Sequence, residues 1–194
     1  MKRNILVTIV FYVVLIIPLS AFAEEAPFEM GDPVIMGSGC PSGSYRVYIN
    51  RDGDEISIYF SEFSAMTDDS SPYDFANCNV AIPIKVPSGI SVGLAGVDHR
   101  GAAYIPSGGK GVLMHEQFFT GQRGDSSTSS ISTYNRYYNY YYPHSGAVLW
   151  SKCGDDVVAR SNSTIYVTRP MNSSVDAQDH GASIRFYLQW KECN

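Results

Sequence analysis

After residue 23 the sequence has no long hydrophobic run, no convincing helical stripe, no basic cluster and no C-x-x-C pair. Each absence excludes something. A spanning helix needs about 20 consecutive apolar residues, so nothing beyond the N-terminus reads as a membrane span. Without clustered Lys and Arg, nucleic acid and anionic membrane are poor partners. The missing C-x-x-C removes the usual spacing of zinc ribbons and redox sites. G-x-S-x-G, P-loop, H-E-x-x-H and EF-hand patterns are absent too, so no familiar catalytic motif and no cofactor are implied.

What is present begins with an export signal. Lys2 and Arg3 precede an apolar stretch from Ile5 to Ile17, Pro18 ends it, and Ala21-Phe22-Ala23 offers the small residues that a signal peptidase reads. Residues 1–23 are therefore expected to be a cleaved signal peptide and 24–194 a single secreted domain, extracellular or, in a Gram-negative host, periplasmic. Removing Lys2 and Arg3 leaves 12 basic against 19 acidic residues, a net charge of −7. Four cysteines, Cys40, Cys78, Cys153 and Cys193, are an even count suited to two disulfides in an oxidising compartment. Of three possible pairings, Cys40–Cys78 and Cys153–Cys193 are preferred, because each joins sequence neighbours without crossed connections.

Period-two alternation recurs along the mature chain. SYRVYIN and EISIYFS flank Asp52-Gly53, where glycine supplies the positive φ of a tight hairpin. CNVAIPIKV turns Cys78, Val80, Ile82, Ile84 and Val86 to one side. Pro83 lies on the other and lacks an N–H, which predicts an edge strand or a bulge. SGISVGLAGV, GAAYI, KGVLMHEQFF, GAVLW and STIYVT read as shorter strands, and GASIRFYLQW closes the set with Ile184, Phe186, Leu188 and Trp190 facing in. The stretches nearest to helical are polar and short, around Ser61–Asp69 and Ser173–Asp179. Short strands at even spacing with Gly and Pro turns predict an all-β chain, a single antiparallel β-sandwich of jelly-roll or immunoglobulin-like order.

Several motifs occur in order: GSGCPSGS (37–44), Cys78 opening a strand that ends in VPSG (86–89), VDHRGAAYI (97–105), FFTG (118–121), a Trp before SKCG (151–154), and LQWKEC (188–193). In this combination the chain resembles the secreted family catalogued as domain of unknown function 4360, from about Phe28 to Cys193. The resemblance implies an exported, cysteine-paired, β-rich protein and a structural role for the four cysteines. It brings no assigned reaction. Two stretches depart from the pattern: SSPYDFAN before Cys78, and the tyrosine run between FFTG and SKCG.

That run is the densest chemical signal. Six of fourteen tyrosines, Tyr134, Tyr137, Tyr138, Tyr140, Tyr141 and Tyr142, fall within nine residues, interleaved with Asn and Arg. Tyr and Asn are weak helix formers and Pro143 follows, so a strand or extended loop is expected. One face would carry Tyr134, Arg136, Tyr138, Tyr140 and Tyr142, the other Asn135, Tyr137, Asn139 and Tyr141. The Ser-rich GQRGDSSTSSIST before it reads as a flexible approach, which makes 122–146 a long loop excursion. Tyrosine presents a flat apolar ring with a polar tip at low rotamer cost, the composition of paratope loops and of sugar-stacking surfaces. The competing reading is that half the rings pad a sheet and the rest are wet.

Other polar groups are weighed against plainer roles. His99, His115, His144 and His180 have no metal-ligand spacing; His99 and His180 sit in turn or strand-end contexts, and either His115 or Glu116 could face in. Asp98, His99 and Glu116 could form a hydrolytic site only by meeting across strands. Asp52, Asp54 and Glu55 could hold calcium but read as a solvated hairpin tip, and Asp155-Asp156 likewise. Asp68-Asp69 reads as an exposed loop. Arg123-Gly124-Asp125 is a chance-prone tripeptide, and Asn162-Ser163-Thr164 and Asn172-Ser173-Ser174 fit the glycosylation sequon. The residues thus favour a non-catalytic binding module that takes carbohydrate or a protein surface through 122–146. An exported hydrolase of polysaccharide or peptide is the second reading, and a wall-associated structural protein the third.

Overall fold

The computed structural model describes residues 26–133, 137–144, 146–170, 173–176 and 183–193. The signal segment, Tyr134, His180 and Asn172 lie outside the described residues. Among those described the chain is strand throughout: β1 (Glu29–Met30), β2 (Val34–Met36), β3 (Tyr45–Ile49), β4 (Glu55–Phe60), β5 (Ser64–Met66), β6 (Tyr73–Lys85), β7 (Ile90–Tyr104), β8 (Lys110–Phe119), β9 (Asp125–Ile131), β10 (Tyr137–His144), β11 (Leu149–Trp150), β12 (Val157–Thr168), β13 (Ser174–Asp176) and β14 (Ser183–Glu192).

Two antiparallel sheets pack face to face. One runs β1-β6-β12-β8-β9, with β2 also on β6; the other runs β3-β4-β14-β7-β13-β5, with β10 and β11 both on β7. Alternation dictates the packing. Val80, Ile82 and Ile84 of β6 and Ile165 and Val167 of β12 face Ile56, Ile58, Val97, Ile184 and Phe186 of the second sheet in one continuous core. Such side chains each contribute roughly 1.5–3 kcal/mol when fully buried. Disulfides join Cys40 to Cys78 and Cys153 to Cys193. The first ties the β2–β3 connection to β6, and the second ties the loop after β11 to the end of β14.

The predicted hairpin forms as β3 and β4, in register from Tyr45–Phe60 to Ile49–Ile56. Gly53 at its tip has φ +74°, and Asn50 Oδ1 accepts the N–H groups of Asp54 and Glu55. Three expectations change. β6 is neither an edge strand nor bulged at Pro83. β12 pairs along its whole length, and Pro83 falls in the gap between β1 and β2, where its carbonyl accepts from Gly31 N–H at 2.8 Å. The ring's missing donor therefore faces a stretch where no ladder bond is required. SGISVGLAGV and GAAYI are not two strands but parts of β7, so His99 sits mid-strand rather than in a turn. The near-helical stretches supply β5 and β13 instead, which pair with each other, Ser174 opposite Met66.

Candidate functional site

The tyrosine run is a strand, and so is its Ser-rich approach. β9 (Asp125–Ile131) pairs with β8 at the edge of the six-stranded sheet, and β10 (Tyr137–His144) pairs with β7 at the edge of the other. Region 122–146 is therefore two sheet edges and not a loop excursion. Hydroxyl-rich alternation in 125–131 satisfies a strand with one wet face, and the ladder to β8 overrides its low hydrophobicity. The register sets the direction of each ring. Tyr140 and Tyr142 turn inward: Tyr140 is 4% exposed, the two rings are 5.7 Å apart, and the Tyr142 hydroxyl donates to the Ser130 carbonyl of β9. Tyr141 turns outward and is 51% exposed. Tyr134 lies outside the described residues, as do the side chains of Tyr137 and Tyr138.

Tyr141 joins a larger surface, the outer face of the eight-stranded sheet. Register places its side chains in rows across five strands. One row is Arg46, Tyr59, Ser183, Arg100 and Tyr141; the next is Tyr48, Ser57, Arg185, Asp98 and Pro143; a third opens with Glu55 and Tyr187. Strand spacing makes such a row about 19 Å long. Asp98 anchors it, although it is nearly buried. Its Oδ2 accepts the hydroxyls of Tyr187 at 2.7 Å and Tyr141 at 2.9 Å. Burial, then the bond to Asp98, pushes the Tyr187 phenol from 10.0 up to about 12. The Arg100 guanidinium carbon lies 4.8 Å from the Tyr141 ring centre, a cation–π arrangement. Glu55 Oε1 lies 3.9 Å from Arg185 and accepts the Ser57 hydroxyl. Burial, the largest single influence, opposes the charge of Arg185, but Glu55, Tyr59 and Tyr187 together outweigh it and hold the guanidinium more firmly protonated. At the far edge, the rings of Tyr48 and Tyr59 meet edge to face at 5.5 Å.

Such a face can do two things chemically. Its half-exposed rings offer flat apolar platforms, and the groups between them offer directional hydrogen bonds at fixed spacing. Fixed hydroxyl–carboxylate bonds hold Tyr141 and Tyr187 in place before any ligand arrives, which lowers the ordering cost of binding.

The hydrolytic alternative does not assemble. Asp98 and His99 are neighbours on one strand and point to opposite faces. Glu116 points outward, where its Oε2 accepts from Asn162. His99 and His115 do meet, through a residue that sequence reading passed over. Ser163 Oγ lies 2.9 Å from His99 Nε2 and 3.2 Å from His115 Nδ1, and the imidazole rings are 4.7 Å apart. All three are at most 3% exposed, sealed between the sheets. The cluster joins the two sheets beneath the surface. Its only sequence signal is the inward parity of Ser163 in the alternating NSTIYVT.

The remaining candidates have plain placements. Among the described residues no three His, Cys, Asp or Glu side chains converge on a metal position. Asp54 bonds Asn50 at the hairpin tip, Asp156 accepts the Val86 N–H, and Asp68 caps Ser70 and Ser71. The Asp68 carboxyl is held below its usual value, first by the Ser70 hydroxyl. Asp125 of the Arg-Gly-Asp tripeptide opens β9 opposite Gln117. Asn162 lies on the outer face of the six-stranded sheet. That face carries a second exposed apolar strip, with Tyr73, Phe75, Met36 and Met114 each more than 40% exposed. The departing stretch SSPYDFAN supplies its two aromatics.

Comparison with known proteins gives a curated relative and a solved structure. An uncharacterized secreted protein of Arthroderma benhamiae is 22% identical over 167 residues, 81% of this chain and 68% of the relative. The solved structure of TmCBM61 in complex with beta-1,4-galactotriose overlaps 87% of this chain and 92% of its own at 11% identity; its TM-score of 0.32 is too low to carry an argument. The protein is secreted, as the fungal relative and the two disulfides agree. A family model matches residues 29–193, nearly the whole described chain, and on that match the chain belongs to the family described as Domain of unknown function (DUF4360).

Proposed function

We propose that the protein is a secreted, non-catalytic binding module that takes carbohydrate on the outer face of its eight-stranded sheet, with the tyrosine strand as one border. The observation that carries this reading is the set of adjacent rows that holds Arg46, Arg100 and Tyr141 in one and Tyr48, Arg185 and Asp98 in the next, in which half-exposed rings lie among groups held by Asp98 and Glu55. Tyrosine rings stack on the C–H faces of sugar rings, and guanidinium and hydroxyl groups between them match sugar oxygens. A wide, shallow sheet face suits a polymer better than a small molecule, which needs a concave pocket.

Tyr140 pads the core, so a useful variant spares it. Replacing Tyr48 and Tyr141 by Ala removes two exposed rings and leaves the packed interior intact. A glycan array and affinity electrophoresis should show retention of the wild type and a loss of about tenfold or more in the double variant, the size of aromatic anchors. Phe75→Ala, on the opposite face, should bind as the wild type does. Equal retention of wild type and double variant would remove this face from consideration. Capture of a protein partner with no glycan retained would favour the protein-surface reading.

A further inference from the structure

The chemistry of the outer face narrows the ligand further, on the assumption that the face binds glycan at all. Both of its carboxylates are engaged by neighbouring side chains, whereas two of its guanidinium groups are not. Asp98 is buried beneath Tyr141 and Tyr187 and takes both hydroxyls on one oxygen. Glu55 Oε1 takes the Ser57 hydroxyl and faces Arg185. Among the described residues, by contrast, no acceptor takes an N–H of Arg100, whose plane sits on Tyr141, and none takes one from the exposed Arg46. The Nε donors of Arg100 and Arg185 are buried without a hydrogen-bond partner. The named rows hold three guanidinium groups, Arg46, Arg100 and Arg185, and two carboxylates, Asp98 and Glu55, on a chain of formal charge −5. A ligand that meets the Arg46 and Arg100 guanidinium groups must bring acceptors of its own, and a carboxylate meets a guanidinium with parallel bonds.

We propose that the glycan taken by this face is acidic, a polymer bearing uronate carboxylates, with Arg100 and Arg46 as its carboxylate contacts. The two lie three strands apart in one row, about 14 Å, so each meets a different sugar of a chain laid across the strands. Affinity electrophoresis and calorimetry on polygalacturonate, an uncharged β-glucan and dextran sulfate test this. Polygalacturonate should be retained most strongly. Arg100→Gln and Arg46→Gln should each weaken it about tenfold, and raising salt should weaken it further. Arg46 is exposed, so its variant keeps the fold even where Arg100→Gln loosens Tyr141; thermal melts verify both. Equal retention of the β-glucan through Tyr141, indifferent to both Arg substitutions, overturns the uronate assignment while leaving glycan binding in place. Equal or stronger retention of dextran sulfate overturns it as non-selective charge. Failure of the wild type to hold any glycan overturns both readings together.

Discussion

At the scale of single residues, Asp98 is the position on which most of the candidate site depends. One carboxylate oxygen orients two tyrosines from two strands, β10 and β14. Asp98→Ala would leave two phenol groups without their acceptor, at a cost of about 1–3 kcal/mol. Tyr187 gives a spectroscopic handle. Its folded pKa of about 12 lies above its unfolded 10.0, so its contribution to stability is complete below pH 10 and is lost as pH rises towards 12. An ultraviolet phenolate titration should show a late component that Tyr187→Phe removes; a profile unchanged by that substitution would break the link to Asp98. This residue was partly legible beforehand. Alternation in GASIRFYLQW already placed Arg185 and Tyr187 together on the outward side. Their meeting with Asp98 was not legible, because period-two patterning fixes which face a residue takes and says nothing of which strand lies beside it.

Elements show the same division. The hairpin of β3 and β4 was legible because Asp52-Gly53 sets the turn and the turn sets the register. The tyrosine run was legible as a strand or extended loop, with the two faces of the strand assigned. Its Ser-rich approach was misread, since Ser and Thr on an edge strand carry little hydrophobic signal while the β8 ladder still holds them. β7 was divided for a related reason. Gly96 and Gly101 look like punctuation, yet both lie within one continuous strand, Gly96 opposite Tyr187 of β14 and Gly101 opposite Tyr140 of β10. Close approach explains another of its glycines. A Cβ on Gly93 would sit 2.5 Å from Val148 Cγ1 and 3.0 Å from the Trp150 ring. Lys191 Nζ covers the same ring at 4.1 Å. Gly93→Ala should therefore lift β11 from β7, lowering stability by roughly 1–3 kcal/mol in urea and shifting the Trp150 fluorescence. A silent substitution would mean that β11 adapts freely.

For the molecule as described, two disulfides and one core hold the fourteen described strands together. The bonds close loops of 38 and 40 residues of sequence separation. In the chain-entropy model each contributes about 4 kcal/mol by restricting the unfolded chain. Reduction should lower the urea midpoint markedly, and Cys153→Ser with Cys193→Ser should reproduce about half of the effect. An unchanged midpoint would show that the core alone suffices. The two outer faces differ in character: one carries tyrosines tied to Asp98 and an Arg185–Glu55 pair, the other the exposed strip of Tyr73, Phe75, Met36 and Met114 beside Glu116 and Asn162. That difference gives every surface substitution on one face a control on the other.

The position of β14 has a consequence for how the protein is made. It lies between β4 and β7, with β4 on one side and ten residues of β7 on the other. Both neighbours are synthesised long before it. Until residues 183–192 arrive, β4 and β7 present open edges to each other with the central strand missing, and no local pairing can substitute for it. Most contacts in this topology join residues distant in sequence, which slows folding. A nascent chain therefore cannot complete its larger sheet until residues 183–192, late in the described sequence, have been made.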